Sequence, residues 1–206
     1  MSQNLQPSLE MLVRLSAVIA SRQTDELSKH FNLLATRADV VQVEEVILQS
    51  YLFLGYPIAL NAMALWREKI GPNISIQAQE DLDTWTVRGQ EVCGAVYGGQ
   101  YADLRAYIRR LHPDLEQWMV QEGYGKVLGR SGLSLVEREL CIVALLAVLD
   151  VPKQLYSHLR GALNVGADVW QVSQALKIGL GYVEDDIATR GWKTWDSFQS
   201  RAAVGE

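Results

Sequence analysis

The sequence predicts an all-helical bundle, and three observations carry that expectation. No stretch alternates apolar and polar residues for long enough to make a strand. The segment boundaries carry helix-capping residues at the spacing that backbone groups at a helix start require. One helical module is written twice: "ADVVQV" at 38–43 returns as "ADVWQV" at 167–172.

The repeat sets the order of the elements. Sliding the chain on itself by 129 residues aligns Glu10 with Glu139 and Trp66 with Trp195 without a gap, giving about eleven identities where chance gives roughly four. In the first copy helices are expected over 8–21, 24–36, 39–53 and 57–69, and "GPN" at 71–73 ends it. In the second they are expected over 134–149, 152–164, 168–181 and 184–199. Asp39 with Gln42, Asp168 with Gln171 and Ser134 with Glu137 each have capping-box spacing. Asp150 and Pro152 are expected to open one helix, and Gly166 suits the left-handed residue that ends it. The stretch between the copies, broken at the glycines 98–99 and at Pro113, reads as further helices. The chain therefore divides into a partial repeat (1–70), a helical connecting segment (71–133) and a C-terminal repeat (134–206).

Composition narrows the partners. Of 206 residues, 49% are hydrophobic and five are proline, as in a packed domain. A net charge of −5 without a basic run gives no footprint for nucleic acid or a membrane surface, which leaves small molecules and proteins. The longest uninterrupted apolar run, Leu140 to Leu149, is about half of a bilayer crossing. The start "MSQNLQPSLEM" lacks the basic and apolar regions of a secretory signal, so the expected compartment is the cytoplasm. Cys93 and Cys141 have no metal-ligand or redox-pair spacing and read as reduced core thiols; no metal site is expected.

The two copies differ where chemistry is concerned. The positions three and four residues from Glu139 are Leu135, Val136, Ile142 and Val143, all apolar, and an unpaired carboxylate there would cost several kcal/mol. Its counterpart Glu10 has Arg14 four residues on, an ordinary exposed pair. His158 has Gly161 and Ala162 one turn later, leaving room beside the imidazole. Its counterpart Lys29 follows Asp25 and Glu26 on a charged face. With the turn near Val151, an antiparallel hairpin brings Glu139 and His158 within about one helical turn of each other. His30 and His112 read as surface or helix-end residues. Tyr156, Trp170 and Tyr182 are candidates for pocket walls, and "GYGKVLG" at 123–129 lacks the pattern of a phosphate loop.

Residues 130–176, "RSGLSLVERELCIVALLAVLDVPKQLYSHLRGALNVGADVWQVSQAL", resemble carboxymuconolactone decarboxylases and their relative alkyl hydroperoxidase D. The resemblance covers 88–200 well, as one decarboxylase unit, and 8–70 weakly. It implies an alkyl hydroperoxidase D-like helical fold. In the peroxidase branch a glutamate, a Cys-x-x-Cys pair and a histidine share one motif; here the glutamate falls on Glu139 and the histidine on His158. The cysteine positions hold Val151 and Gln154, neither of which can attack a peroxide. The implied reaction is therefore that of the decarboxylase branch, cofactor-free loss of carbon dioxide from a small lactone acid. His158 would serve as acid/base, Glu139 would tune it, and Gln154 and Arg160 are candidates to bind substrate. A peroxiredoxin-type antioxidant and a non-catalytic scaffold are the alternatives. Two modules per chain and the resemblance together imply a homo-oligomer, with a trimer favoured.

Overall fold

The computed structural model describes residues 5–72 and 80–202, and every regular element among them is helical. Part of the N-terminal signal reading and Asn73 of the "GPN" stop lie outside the described residues.

The first copy forms α1 (Pro7–Ser21), α2 (Thr24–Arg37) and α3 (Val40–Ile70), the second α7 (Leu135–Leu149), α8 (Pro152–Asn164), α9 (Val169–Leu180) and α10 (Asp185–Ala202). Between them run α4 (Leu82–Tyr97), α5 (Tyr101–Leu111) and α6 (Pro113–Trp118), the last continuing into a π-helical segment, Met119–Leu128. The two helices expected over 39–53 and 57–69 are one span interrupted at Gly55, whose backbone (φ 77, ψ 166) leaves the helical region two residues before Pro57. By length and composition alone α3 could cross a membrane. Within the fold it is bent at that glycine and packs on α1 and α2.

The equivalent helices α1 and α7 lie against each other, α1 also touches α9, and α7 also touches α3, as a pseudo-two-fold arrangement requires. The aligned tryptophans Trp66 and Trp195 are both buried. The middle of α7 is enclosed: all residues from Arg138 to Ala147 are buried, so this helix is the axis of the core. The two Cys side chains belong to that core, buried and unpaired.

The caps follow the sequence with two exceptions. Ser134 with Glu137 and Asp168 with Gln171 make complete capping boxes. Asp39 accepts from the amides of Val41 and Gln42, but Gln42 turns outward and donates from Nε2 to Glu137 Oε1 at 3.3 Å, so the return half of that box is a link to the other repeat. Asp150 does not cap α8. It is the left-handed residue that ends α7 (φ 54, ψ 50), and its carboxylate is held by Arg190 at 2.6 Å. Gly166 has the positive φ expected, 106°.

A buried ionic network joins the copies. Arg138, 1% exposed, donates to Glu45 Oε2 at 2.8 Å, to Gln49 Oε1 at 3.2 Å and to the Arg130 carbonyl at 2.9 Å. Arg130 closes on the other side of Glu45 at 2.9 Å. The glutamate is thus shared by two guanidiniums, which offsets the cost of taking three charges out of water.

Candidate active site

Glu139 projects from the second turn of α7 into the space between α7 and α8. Its carboxylate, 2% exposed, lies with Oε2 2.8 Å from His158 Nδ1. The gap of about one turn left by the sequence is closed by direct contact. The small residue that allows this is Gly161: a β-carbon there would fall 2.9 Å from Glu139 Oε2 and 2.8 Å from Val96 Cγ1. The room expected beside the imidazole is therefore room for the carboxylate. A carboxylate only accepts, so Nδ1 carries the hydrogen and the lone pair of the neutral ring sits on Nε2.

His158 is buried but also lines a cavity of about 340 Å3, where Phe53, Tyr97, Trp118, Glu122 and Tyr124 stand around it. Phe53 meets the imidazole edge-on with ring centres 6.1 Å apart, and Tyr97 does so at 6.4 Å. Nδ1 is occupied by the buried Glu139, so Nε2 is the ring nitrogen left for a molecule in the cavity. A scaffold reading expects the pair sealed in a closed core; His158 is among the residues that line this pocket.

Tyr124 donates to the Tyr97 hydroxyl at 3.1 Å, and their rings cross edge-to-face. Burial pushes both phenols above the ordinary tyrosine range, with the Glu139 charge adding to it, so both stay protonated at neutral pH. Their placement depends on a close helix crossing. A β-carbon on Gly89 of α4 would lie 2.0 Å from the Val120 carbonyl, and one on Gly125 would lie 2.0 Å from the Trp85 carbonyl. "GYGKVLG" is thus a packing motif, and its π-helical turn directs Tyr124 at α4.

The other candidates are placed elsewhere. Gln154 is exposed on the first turn of α8. Arg160 lines a separate cavity of about 260 Å3 with Tyr156 and Asp103, and Tyr97 is the wall it shares with the His158 cavity. Its guanidinium lies over the Tyr156 ring at 5.5 Å. Tyr182 lines a third cavity, between α1 and α9, where Arg14 reaches both its hydroxyl and Glu10. In the first copy Glu10 and Arg14 pair as expected but half-buried beside Tyr182 instead of on an exposed face, and Lys29 pairs with Glu26 at 2.7 Å. His30 departs from its expected surface position: it is 8% exposed, with Nε2 2.9 Å from the Met11 carbonyl. His112 caps α6 by accepting from the Asp114 amide. Sequence reasoning missed Phe53, Tyr97 and Tyr124; the one available signal was the pair of glycines around Tyr124.

Both thiols are unsuited to peroxide chemistry. Burial pushes the Cys93 thiol up to about 12 and raises that of Cys141 further.

An all-helical duplicated fold whose second copy alone holds a carboxylate–imidazole pair on a pocket defines a class, that of the decarboxylase and hydroperoxidase D-like helical proteins. The chain belongs to the carboxymuconolactone decarboxylase family, whose model matches residues 113–196. It is similar to Peroxisomal protein 2 of Schizosaccharomyces pombe, 31% identical over 144 residues, which cover 68% of this chain and 67% of that protein. It is also similar to Peroxisomal protein 2 of Saccharomyces cerevisiae, 25% identical over 154 residues, 60% of this chain and 54% of the relative. These names overturn the cytoplasmic expectation, since both relatives are called peroxisomal. The expectation rested on the lack of a secretory signal, which speaks only to secretion.

Proposed function

We propose that the chain is a cofactor-free acid/base catalyst that decarboxylates, or moves a proton on, a small carboxylic or lactone acid. The observation that carries this reading is His158, held at Nδ1 by a buried carboxylate while the residue lines a cavity. In the decarboxylation the bond to the carboxylate carbon breaks, and its electron pair spreads into a dienolate. Nε2, first protonated from solvent to give the imidazolium, delivers that proton to carbon and the ring returns to its neutral form. Glu139 stabilises the imidazolium and fixes the ring. Among its described lining residues the cavity has no Lys or Arg. A carboxylate held there without a cation is destabilised relative to a transition state that disperses its charge. Arg160, across the Tyr97 wall, is the candidate cation for an acid group extending that way. The missing cysteine pair and the two sealed thiols weigh against a thiol peroxidase.

By analogy with the relatives' names, the compartment proposed is the peroxisome. A homotrimer is the assembly proposed, supported by exposed apolar side chains at the pocket, Leu115 at 51% and Trp118 at 54%, and by the nearby Leu111 at 61%. Light scattering after size exclusion measures the oligomer. For the chemistry, small lactone and unsaturated acids are assayed for carbon dioxide release and for deuterium uptake at carbon. His158→Ala should abolish both with helicity unchanged; turnover that survives the substitution removes His158 from the reaction.

A further inference from the structure

We propose that Tyr97 and Tyr124 form a neutral hydrogen-bond donor for the oxyanion of the reacting molecule, which marks the substrate as one that passes through an enolate- or phenolate-like form. This deepens the acid/base reading of His158 and rests on it.

Proton counting is the first argument. Two phenols hold two hydroxyl protons, and the bond from Tyr124 to Tyr97 uses one. The Tyr97 proton has no acceptor among the described residues, although the side chain is mostly buried and lines the cavity. In an open pocket that proton is free for water or for the oxygen of a ligand that displaces it. Position is the second argument. Tyr97 and His158 line the same cavity with ring centres 6.4 Å apart, so one small molecule held there lies beside both the imidazole and the phenol. The third is the state of the pair. Burial, with a smaller push from the Glu139 charge, holds the tyrosines in the protonated form, so they donate and do not compete with His158 as base. The charges facing the pair are Glu139, already engaged by His158, and Glu122, which is exposed and screened by solvent. The Gly89 and Gly125 crossing fixes the donors before a ligand arrives, as preorganised oxyanion stabilisation requires.

The probe is 4-nitrophenol, whose ionised form has its own visible absorption band, titrated with the protein near the pH where both forms coexist. The wild-type chain should bind the phenolate in preference to the phenol. Tyr97→Phe and Tyr124→Phe should each weaken phenolate binding by roughly tenfold to a hundredfold, the span of one charge-assisted hydrogen bond. Both substitutions keep the ring, and circular dichroism checks the helices. If Tyr124→Phe does not fold, Tyr97→Phe alone decides. His158→Gln is titrated in parallel. Loss of affinity there, with both Phe variants binding as wild type, assigns the anion to the imidazole and overturns the tyrosine proposal while leaving the acid/base reading in place. Preference for the neutral phenol, or no binding by the wild type, also overturns it.

Discussion

Gly161→Ala tests whether the contact between carboxylate and imidazole depends on the missing side chain of one residue. The added β-carbon would stand 2.9 Å from Glu139 Oε2, so the oxygen must withdraw by roughly 0.5 Å to reach an ordinary contact. Withdrawal of that size along the bond to His158 would stretch its present 2.8 Å to about 3.3 Å, beyond the range of a good N–H···O bond. A charge-assisted bond of this kind is worth about 1.5–3 kcal/mol, so any step that forms the imidazolium should slow about tenfold to a hundredfold. Stability should respond less. Crowding against Val96 costs about 1–3 kcal/mol, and alanine in a helix interior regains about 1 kcal/mol over glycine. The assays are turnover, urea unfolding and the downfield proton resonance of Nδ1–H, which is sheltered by Glu139 in the wild type and should vanish in the variant. An unchanged resonance with unchanged turnover refutes the reasoning. A loss of stability above about 4 kcal/mol refutes it too, because position 161 would then serve packing in general.

In the network between the copies, Glu45→Ala strands Arg138 and should cost about 3–5 kcal/mol in urea unfolding, whereas Arg138→Met leaves Glu45 with Arg130 and should cost less. The double variant Glu45→Met with Arg138→Met should recover most of the loss; equal costs for the two single variants would sink the asymmetry. Cys93 and Cys141 should react with a thiol-specific disulfide reagent only at the rate of unfolding, and fast labelling of the folded chain would place a thiol at the surface. Burial, with the Arg14 charge adding to it and the Met11 carbonyl opposing, holds His30 below its ordinary value near 6.5, so the folded chain refuses a proton that the unfolded chain accepts. Its contribution to stability is complete above that value and is lost as pH falls from there through the lowered one. His30→Leu should flatten the dependence of unfolding free energy on pH in that window, and an unchanged slope would assign the effect elsewhere.

Much of the architecture was legible because the duplicated signals are local. A capping residue, a glycine after an apolar stripe and the same order twice fix where helices start and stop. Glu139 and His158 were legible for a related reason: a charged or titratable residue among apolar neighbours has to be accommodated, and their counterparts Glu10 and Lys29 visibly are not in that position. Tyr97 and Tyr124 were not legible, since they lie in the segment without a second copy and are joined by a crossing of helices distant in sequence. Arg160 is two residues from His158, which turns it about 200° around the helix and into the neighbouring cavity. Asp150 was misread because an aspartate before proline suits a helix start as well as the left-handed end of the preceding helix. His30 was misread because its acceptor is the main chain of α1, which no side-chain pattern announces.

The kink at Gly55 has a consequence for how the chain can be divided. It ends the first half of α3 beside the second copy, where Phe53 faces His158, so the half without the carboxylate–imidazole pair supplies a wall of the pocket. Tyr97 comes from the connecting segment, and Glu45 of α3 neutralises the arginine next to Glu139. A fragment cut to the residues that match the family model, 113–196, would carry both Glu139 and His158 and would still lose Phe53, Tyr97 and the Glu45 counter-charge at once. The first copy, whose aligned positions hold Glu10 and Lys29, walls the pocket of its twin and neutralises Arg138, so the two halves make one working piece.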